Sequence, residues 1–127
     1  MTIYVSGVKR DIATINFVID GGGAVITTGS KGYLVIDFAC TIQDNTLLAD
    51  QSGSIVVDIK KCAYAGFPTT ASICAAAKPT LSTAQKSQDV TLTGWTTAIA
   101  AGDILEYVVD SATTVTRVTL SLKATKS

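Results

Sequence analysis

The chain has 127 residues and a mass of 13.1 kDa. A single domain of this size buries roughly two-thirds of its unfolded surface, enough core to stand without disulfides. Ten Lys and Arg balance ten Asp and Glu, so no basic excess is available to neutralise phosphates, and nucleic acid is not an expected partner. His is absent, which removes the commonest general base, the commonest metal ligand and the usual near-neutral pH switch.

In chain order, residues 1–12 come first. They carry Ile3, Tyr4, Val5 and Val8 with no companion strand in sequence, and read as an N-terminal arm before one sandwich domain at residues 13–127. Arms of this kind either pair with the edge strand of another subunit or fray. Lys9, Arg10 and Asp11 follow a short mixed segment, without the charge-then-apolar order of a secretory signal. Thr14 to Asp20 then alternates, with Ile15, Phe17 and Ile19 on one side, the period-two mark of a half-buried strand. Gly21, Gly22 and Gly23 end it. Tyr33 to Ala39 repeats the pattern with Leu34, Ile36 and Phe38 inward, and a weaker strand is expected over Cys40 to Asp50.

Gly53 to Lys61 places Ile55, Val57 and Ile59 inward and Asp58 and Lys60 outward. Ala71 to Ala77 and Ser82 to Ser87 tolerate a helix, but Pro79 separates them and at most one short turn is expected. Weaker strands follow at Asp89 to Thr93 and Asp103 to Asp110, bounded by Gly, Asn, Asp or Ser. In the last strand Val118, Leu120 and Leu122 alternate with Arg117, Thr119, Ser121 and Lys123. The spacing predicts an all-β chain: an antiparallel, jelly-roll-like β-sandwich of about seven to eight strands.

Asp37, Asp103 and Glu106 interrupt the apolar runs, so no membrane insertion is expected. Yet 47% of residues are hydrophobic and 16% charged, which implies that part of the surface is covered. Val18, Val35, Val56, Ile104 and Val108 fall on the nominal solvent side of their strands. They predict either a homo-oligomer interface or a cover of loops from the same chain. Three cysteines, Cys40, Cys62 and Cys74, cannot all pair; packing as small hydrophobes is favoured over a Cys62–Cys74 bridge.

Catalytic motifs fail on order or composition. Ser30 precedes Lys31 after Gly29, the wrong order for a phosphate loop, and no third glycine completes a dinucleotide fingerprint. No Gly-x-Ser-x-Gly elbow is present, and without His the Ser-His-acid arrangement is impossible. The acids Asp44, Asp50, Asp89, Asp103, Glu106 and Asp110 contain no EF-hand pattern. Glu106 with Asp37 or Asp58 reads as strand-surface solvation rather than a glycosidase pair. No catalytic residue, metal or cofactor is assigned. Tyr33, Tyr64, Phe67 and Trp95 offer flat stacking surfaces. Trp95 is expected to plug the core, and Tyr64 and Phe67, on the loop Ala63 to Thr70, are the better contact residues.

Several segments occurring in order carry a resemblance. Ile15-Asn-Phe-Val-Ile-Asp-Gly-Gly-Gly23, Thr27-Thr-Gly-Ser-Lys-Gly-Tyr33 and Thr46-Leu-Leu-Ala-Asp-Gln-Ser-Gly-Ser-Ile55 are followed by Ala77-Lys-Pro-Thr-Leu-Ser82, Leu92-Thr-Gly-Trp95, Ala101-Gly-Asp103 and Val115-Thr-Arg-Val-Thr-Leu-Ser-Leu-Lys123. Over about Thr14 to Lys126 the chain resembles a domain recurrent in structural proteins of tailed bacteriophages, found in fibre, spike and decoration proteins. The resemblance implies a compact sandwich displayed in trimers on the virion surface after synthesis in the host bacterial cytoplasm. About a dozen residues before the sandwich are too few for a fibre shaft at ~3.3 Å per extended residue, so a small separate subunit is expected. Its partners would be its own copies in a homotrimer, and the major capsid protein or another virion protein reached through Ile3, Tyr4, Val5 and Val8. The alternative is a tail-fibre or spike module that binds a host surface glycan through Tyr64 and Phe67.

Overall fold

The computed structural model describes residues 11–127, and the arm residues Ile3, Tyr4, Val5 and Val8 lie outside the described residues. The strands are β1 (Ile12–Asp20), β2 (Gly29–Ile36), β3 (Cys40–Cys62), β4 (Ala71–Ser72), β5 (Thr80–Asp89), β6 (Ala98–Ile99), β7 (Asp103–Thr113) and β8 (Arg117–Lys126). All their pairings are antiparallel. No α-helix occurs among the described residues, where one 3₁₀ turn spans Tyr64–Gly66.

The sheet runs in the order β1-β8-β3-β7-β2 and curls on itself through β3. Cys40 to Ala49 of β3 pairs with β8, whereas Ser54 to Cys62 pairs with β7. The two halves of this 23-residue strand therefore belong to two facing layers. One layer is β1, β8 and the first half of β3; the other is β2, β7 and the second half. Their contact is direct: the rings of Phe17 in β1 and Tyr107 in β7 stack at 4.2 Å with planes 3° apart, an arrangement that adds to the area both rings bury. The result is the predicted all-β sandwich, built as one curled sheet.

The alternation explains what lies between the layers. Ile55, Val57 and Ile59 of β3, Leu105 of β7, and Leu120 and Leu122 of β8 are fully buried. Each such aliphatic side chain contributes about 1.5–3 kcal/mol of burial. Trp95 closes the core as expected, with its indole Nε1 donating to the Ala77 carbonyl at 2.8 Å. Cys40 and Cys74 are buried and Cys62 partly so; all three are free thiols.

The structure corrects several strand expectations. The segments Cys40 to Asp50 and Gly53 to Lys61 are one continuous strand, because Gln51-Ser-Gly-Ser54 bends rather than turns. The ladder with β5 breaks on both sides of Gly53. A Cβ at Gly53 would lie 2.7 Å from the Thr113 carbonyl oxygen and 2.8 Å from Val115 Cγ1, so the crossing is built around a missing side chain. Ser82 to Ser87 is the body of β5 rather than a helix-tolerant piece; its backbone groups are taken up by β3. Asp89 to Thr93 is largely a turn beyond the end of β5, since Asp89 Oδ1 accepts from the amides of Thr91 and Leu92 and so stops the strand.

Candidate functional site

The outer face of the second layer is formed by alternate residues of β2, β7 and the second half of β3. Tyr33, Glu106 and Lys60 form one cross-strand row; Val35, Ile104 and Cys62 form the next. The segment after β3 folds back here, because Ala71 and Ser72 of β4 pair with Lys61 and Lys60. This return brings Thr70 over Glu106 and Ser72 over Asp58.

The cover overturns the outward placement of two acids. Glu106 is 9% exposed and Asp58 4%. Thr70 Oγ1 donates to Glu106 Oε1 at 2.6 Å and Ser30 Oγ donates to Oε2 at 2.7 Å, so both carboxylate oxygens are occupied. The Thr70 hydroxyl foremost, with that of Ser30, holds the Glu106 carboxyl below its ordinary range, against the opposing effect of burial. A carboxylate kept ionised and fully engaged is a poor general acid, and here it fastens the loop to β2 and β7. Asp58 accepts from Ser72 Oγ at 2.6 Å and lies 3.8 Å from the Lys78 ammonium, which reaches Asp110 at 2.7 Å. These acids fasten the loop-covered face rather than solvate a strand surface. No local spacing marks Ser30 and Thr70 as partners of Glu106, which is 76 and 36 residues away.

The five residues on the nominal solvent sides separate. Ile104 is 6% exposed and offers no apolar surface, which corrects its place in the proposed interface set. It sits between Val35 and Cys62 in the sheet interior, beside the strand to which the loop returns. Val56 and Val108 are half-buried. Val18 and Val35 remain open, at 55% and 60%. They lie on β1 and β2, the two ends of the strand order.

The loop aromatics form the other exposed feature. Tyr64 is 83% exposed, and Phe67 packs edge-on against Tyr33 of β2, with ring centroids 4.9 Å apart and planes at 73°. The structure thus joins Phe67 to Tyr33 and leaves Tyr64 outside that pair. Tyr33, Phe67 and Tyr64 present flat, exposed aromatic surface, suited to contact rather than bond making. On the opposite layer, Leu48, Ala49, Ala84, Gln85 and Lys86 line a shallow groove where β5 parts from β3.

Burial pushes the Cys74 thiol up to about 12 and raises that of Cys40, so neither is a ready thiolate. Among the described residues no group of three or more Cys, Asp or Glu is placed to hold a metal ion.

No family model matches the chain, and no curated protein matches it. Among solved structures, it is similar to a chain of the infectious bursal disease virus Gx strain, at 16% identity and TM-score 0.37, covering 92% of this chain. A chain of the Gt strain gives 14% identity and TM-score 0.33, again over 92% of this chain. The protein spans about a third of the length of those chains, 32% and 33%, and a likeness this loose carries no functional argument.

Proposed function

We propose that the chain is a non-enzymatic structural subunit of a bacteriophage virion, acting as a homotrimeric decoration protein or small surface cap. One observation carries the reading: seven segments resembling tailed-phage surface modules occur in order between Ile15 and Lys123, on a chain that folds as the sandwich such modules imply. The side chains support a structural role. The best-placed carboxylate, Glu106, is saturated by hydroxyl donors and serves as a fastener.

Attachment is assigned to the arm residues Ile3, Tyr4, Val5 and Val8 and to one end of the sandwich, with the major capsid protein or another virion protein as the receiving surface. Three modest contacts joined in one trimer hold far more tightly than one, because the second and third form at high effective concentration. Particles with and without the subunit, heated and diluted into low salt, test the role; stabilised particles are expected to rupture later. Equal thresholds would refute cementing.

A second reading has its own observation. Tyr64, at 83% exposure, and Phe67, packed on Tyr33 of β2, expose aromatic faces from one loop, the type of surface that stacks on a sugar ring. In this reading the chain is the glycan-binding module of a tail fibre or spike. Tyr64→Ala and Phe67→Ala then abolish adsorption to host polysaccharide, and unchanged adsorption removes the reading.

A further inference from the structure

We infer that the open edges of β1 and β2 are the contact between copies of this chain, with β1 of one copy pairing antiparallel with β2 of the next. The inference rests on the homo-oligomer reading above and assigns its surface.

Both strands end the strand order: among the described residues β1 has a ladder only with β8, and β2 only with β7. Each therefore offers a row of backbone donors and acceptors to another strand, the feature that edge strands ordinarily conceal. The two edges lie on one side of the sandwich. Phe17 of β1 reaches across to Tyr107, and its Cζ lies 3.3 Å from where a Cβ of Gly32 in β2 would sit.

The usual protections are missing where they would matter. From Ile12 to Ile19, β1 has no charge, no proline and no register break. In β2 the protections, Lys31 and a register break between Ser30 and Gly32, are confined to the start of its ladder, leaving Gly32 to Ile36 regular and uncharged. By contrast β5 carries Lys86 and two register breaks. The most open valines of the described strands, Val18 at 55% and Val35 at 60%, stand on these two edges.

Register selects the partner. Setting Val18 opposite Val35 of the next copy also sets Asn16 opposite Asp37 and Asp20 opposite Tyr33 on the outer face. On the inner face it sets Phe17 opposite Ile36 and Ile19 opposite Leu34. Apolar residues meet apolar ones, and an amide donor meets a carboxylate. Pairing β1 with another β1 about Asn16 instead sets each Val18 against Thr14, a poorer cross-strand match. A β1-to-β2 contact is head-to-tail, the type that closes into a ring where the rotation between successive copies returns to the start.

Sedimentation of the full chain, alone and as Val18→Lys and Val35→Lys, tests the inference; both sites are exposed, and thermal unfolding checks that each variant folds. The expected result is an oligomer for the parent and monomers for both folded variants. A mixture of Val18→Cys and Val35→Cys chains under mild oxidation is expected to yield a cross-linked pair absent from either variant alone. A monomeric parent overturns the homo-oligomer reading together with this inference. A parent oligomer that survives both lysine substitutions, or cross-links equally with Val18→Cys alone, overturns the edge contact and leaves the oligomer standing.

Discussion

Replacing Gly53 with alanine is expected to destabilise the protein, although glycine-to-alanine changes usually stiffen the unfolded chain and stabilise by about 0.4–1 kcal/mol. The added methyl would lie 2.7 Å from the Thr113 carbonyl oxygen, 2.8 Å from Val115 Cγ1 and 3.1 Å from Thr114 Cβ. One of these atoms is backbone, and Val115 is fully buried, so the neighbours cannot swing aside as an exposed side chain would. Overpacking of this kind costs about 1–3 kcal/mol, and the rigid side of the site favours the upper half of that range. After subtracting the unfolded-state gain, a net loss of about 1–2 kcal/mol remains. For a chain of this length that lowers Tm by roughly 3–10 °C. Gly66 is the matched control, since a Cβ there meets nothing nearer than Cys62 Cβ at 4.0 Å. Calorimetry of both variants decides the matter: Gly66→Ala should melt at or slightly above the parent. A Gly53→Ala protein as stable as the parent would refute the packing of the β3 crossing.

Other outcomes follow from the same geometry. The folded carboxyl of Glu106 titrates below its ordinary value of 4.5, so its stabilising share is present above pH 4.5 and is lost as pH falls through the folded value. Glu106→Gln should therefore flatten the acid limb of denaturant stability measured against pH, and an unchanged limb would contradict the double hydroxyl contact. Cys74, fully buried and with its thiol at about 12, should resist iodoacetamide in the native protein at pH 8 while the half-buried Cys62 is modified first. Peptide mass mapping checks the order, and equal labelling would contradict the burial. Trp95→Phe should lose about 1 kcal/mol by freeing the Ala77 carbonyl from its 2.8 Å indole donor; a denaturation midpoint equal to the parent's would refute that role.

The sequence signal was strongest where one face of a strand meets the core. The alternation of Ile15, Phe17 and Ile19, of Ile55, Val57 and Ile59, and of Val118, Leu120 and Leu122 predicted strands and facing correctly. It was weakest where long-range partners decide the outcome. Gln51-Ser-Gly-Ser54 has the composition of a turn, yet β7 pairs with the chain from Ser54 onward and the strand continues. β5 buries only Leu81 fully, so its pattern carries almost no period, and pairing with β3 makes it a strand. Asp58, Ile104 and Glu106 obey the outward phase of their strands and are buried nevertheless, Asp58 and Glu106 under a loop whose return no local pattern announces. Tyr64 and Phe67 could be named from loop composition, whereas the Tyr33 contact depends on the fold.

β3 hydrogen-bonds to β4, β5, β6, β7 and β8, so the molecule has a spine rather than two separable plates. A single cut of the main chain between Gln51 and Ser52 would sever β3, which runs through both layers, and neither half would retain a complete wall. Resistance of the folded chain to a protease that nicks at that bend is thus a measure of the whole molecule's integrity, not of a local loop.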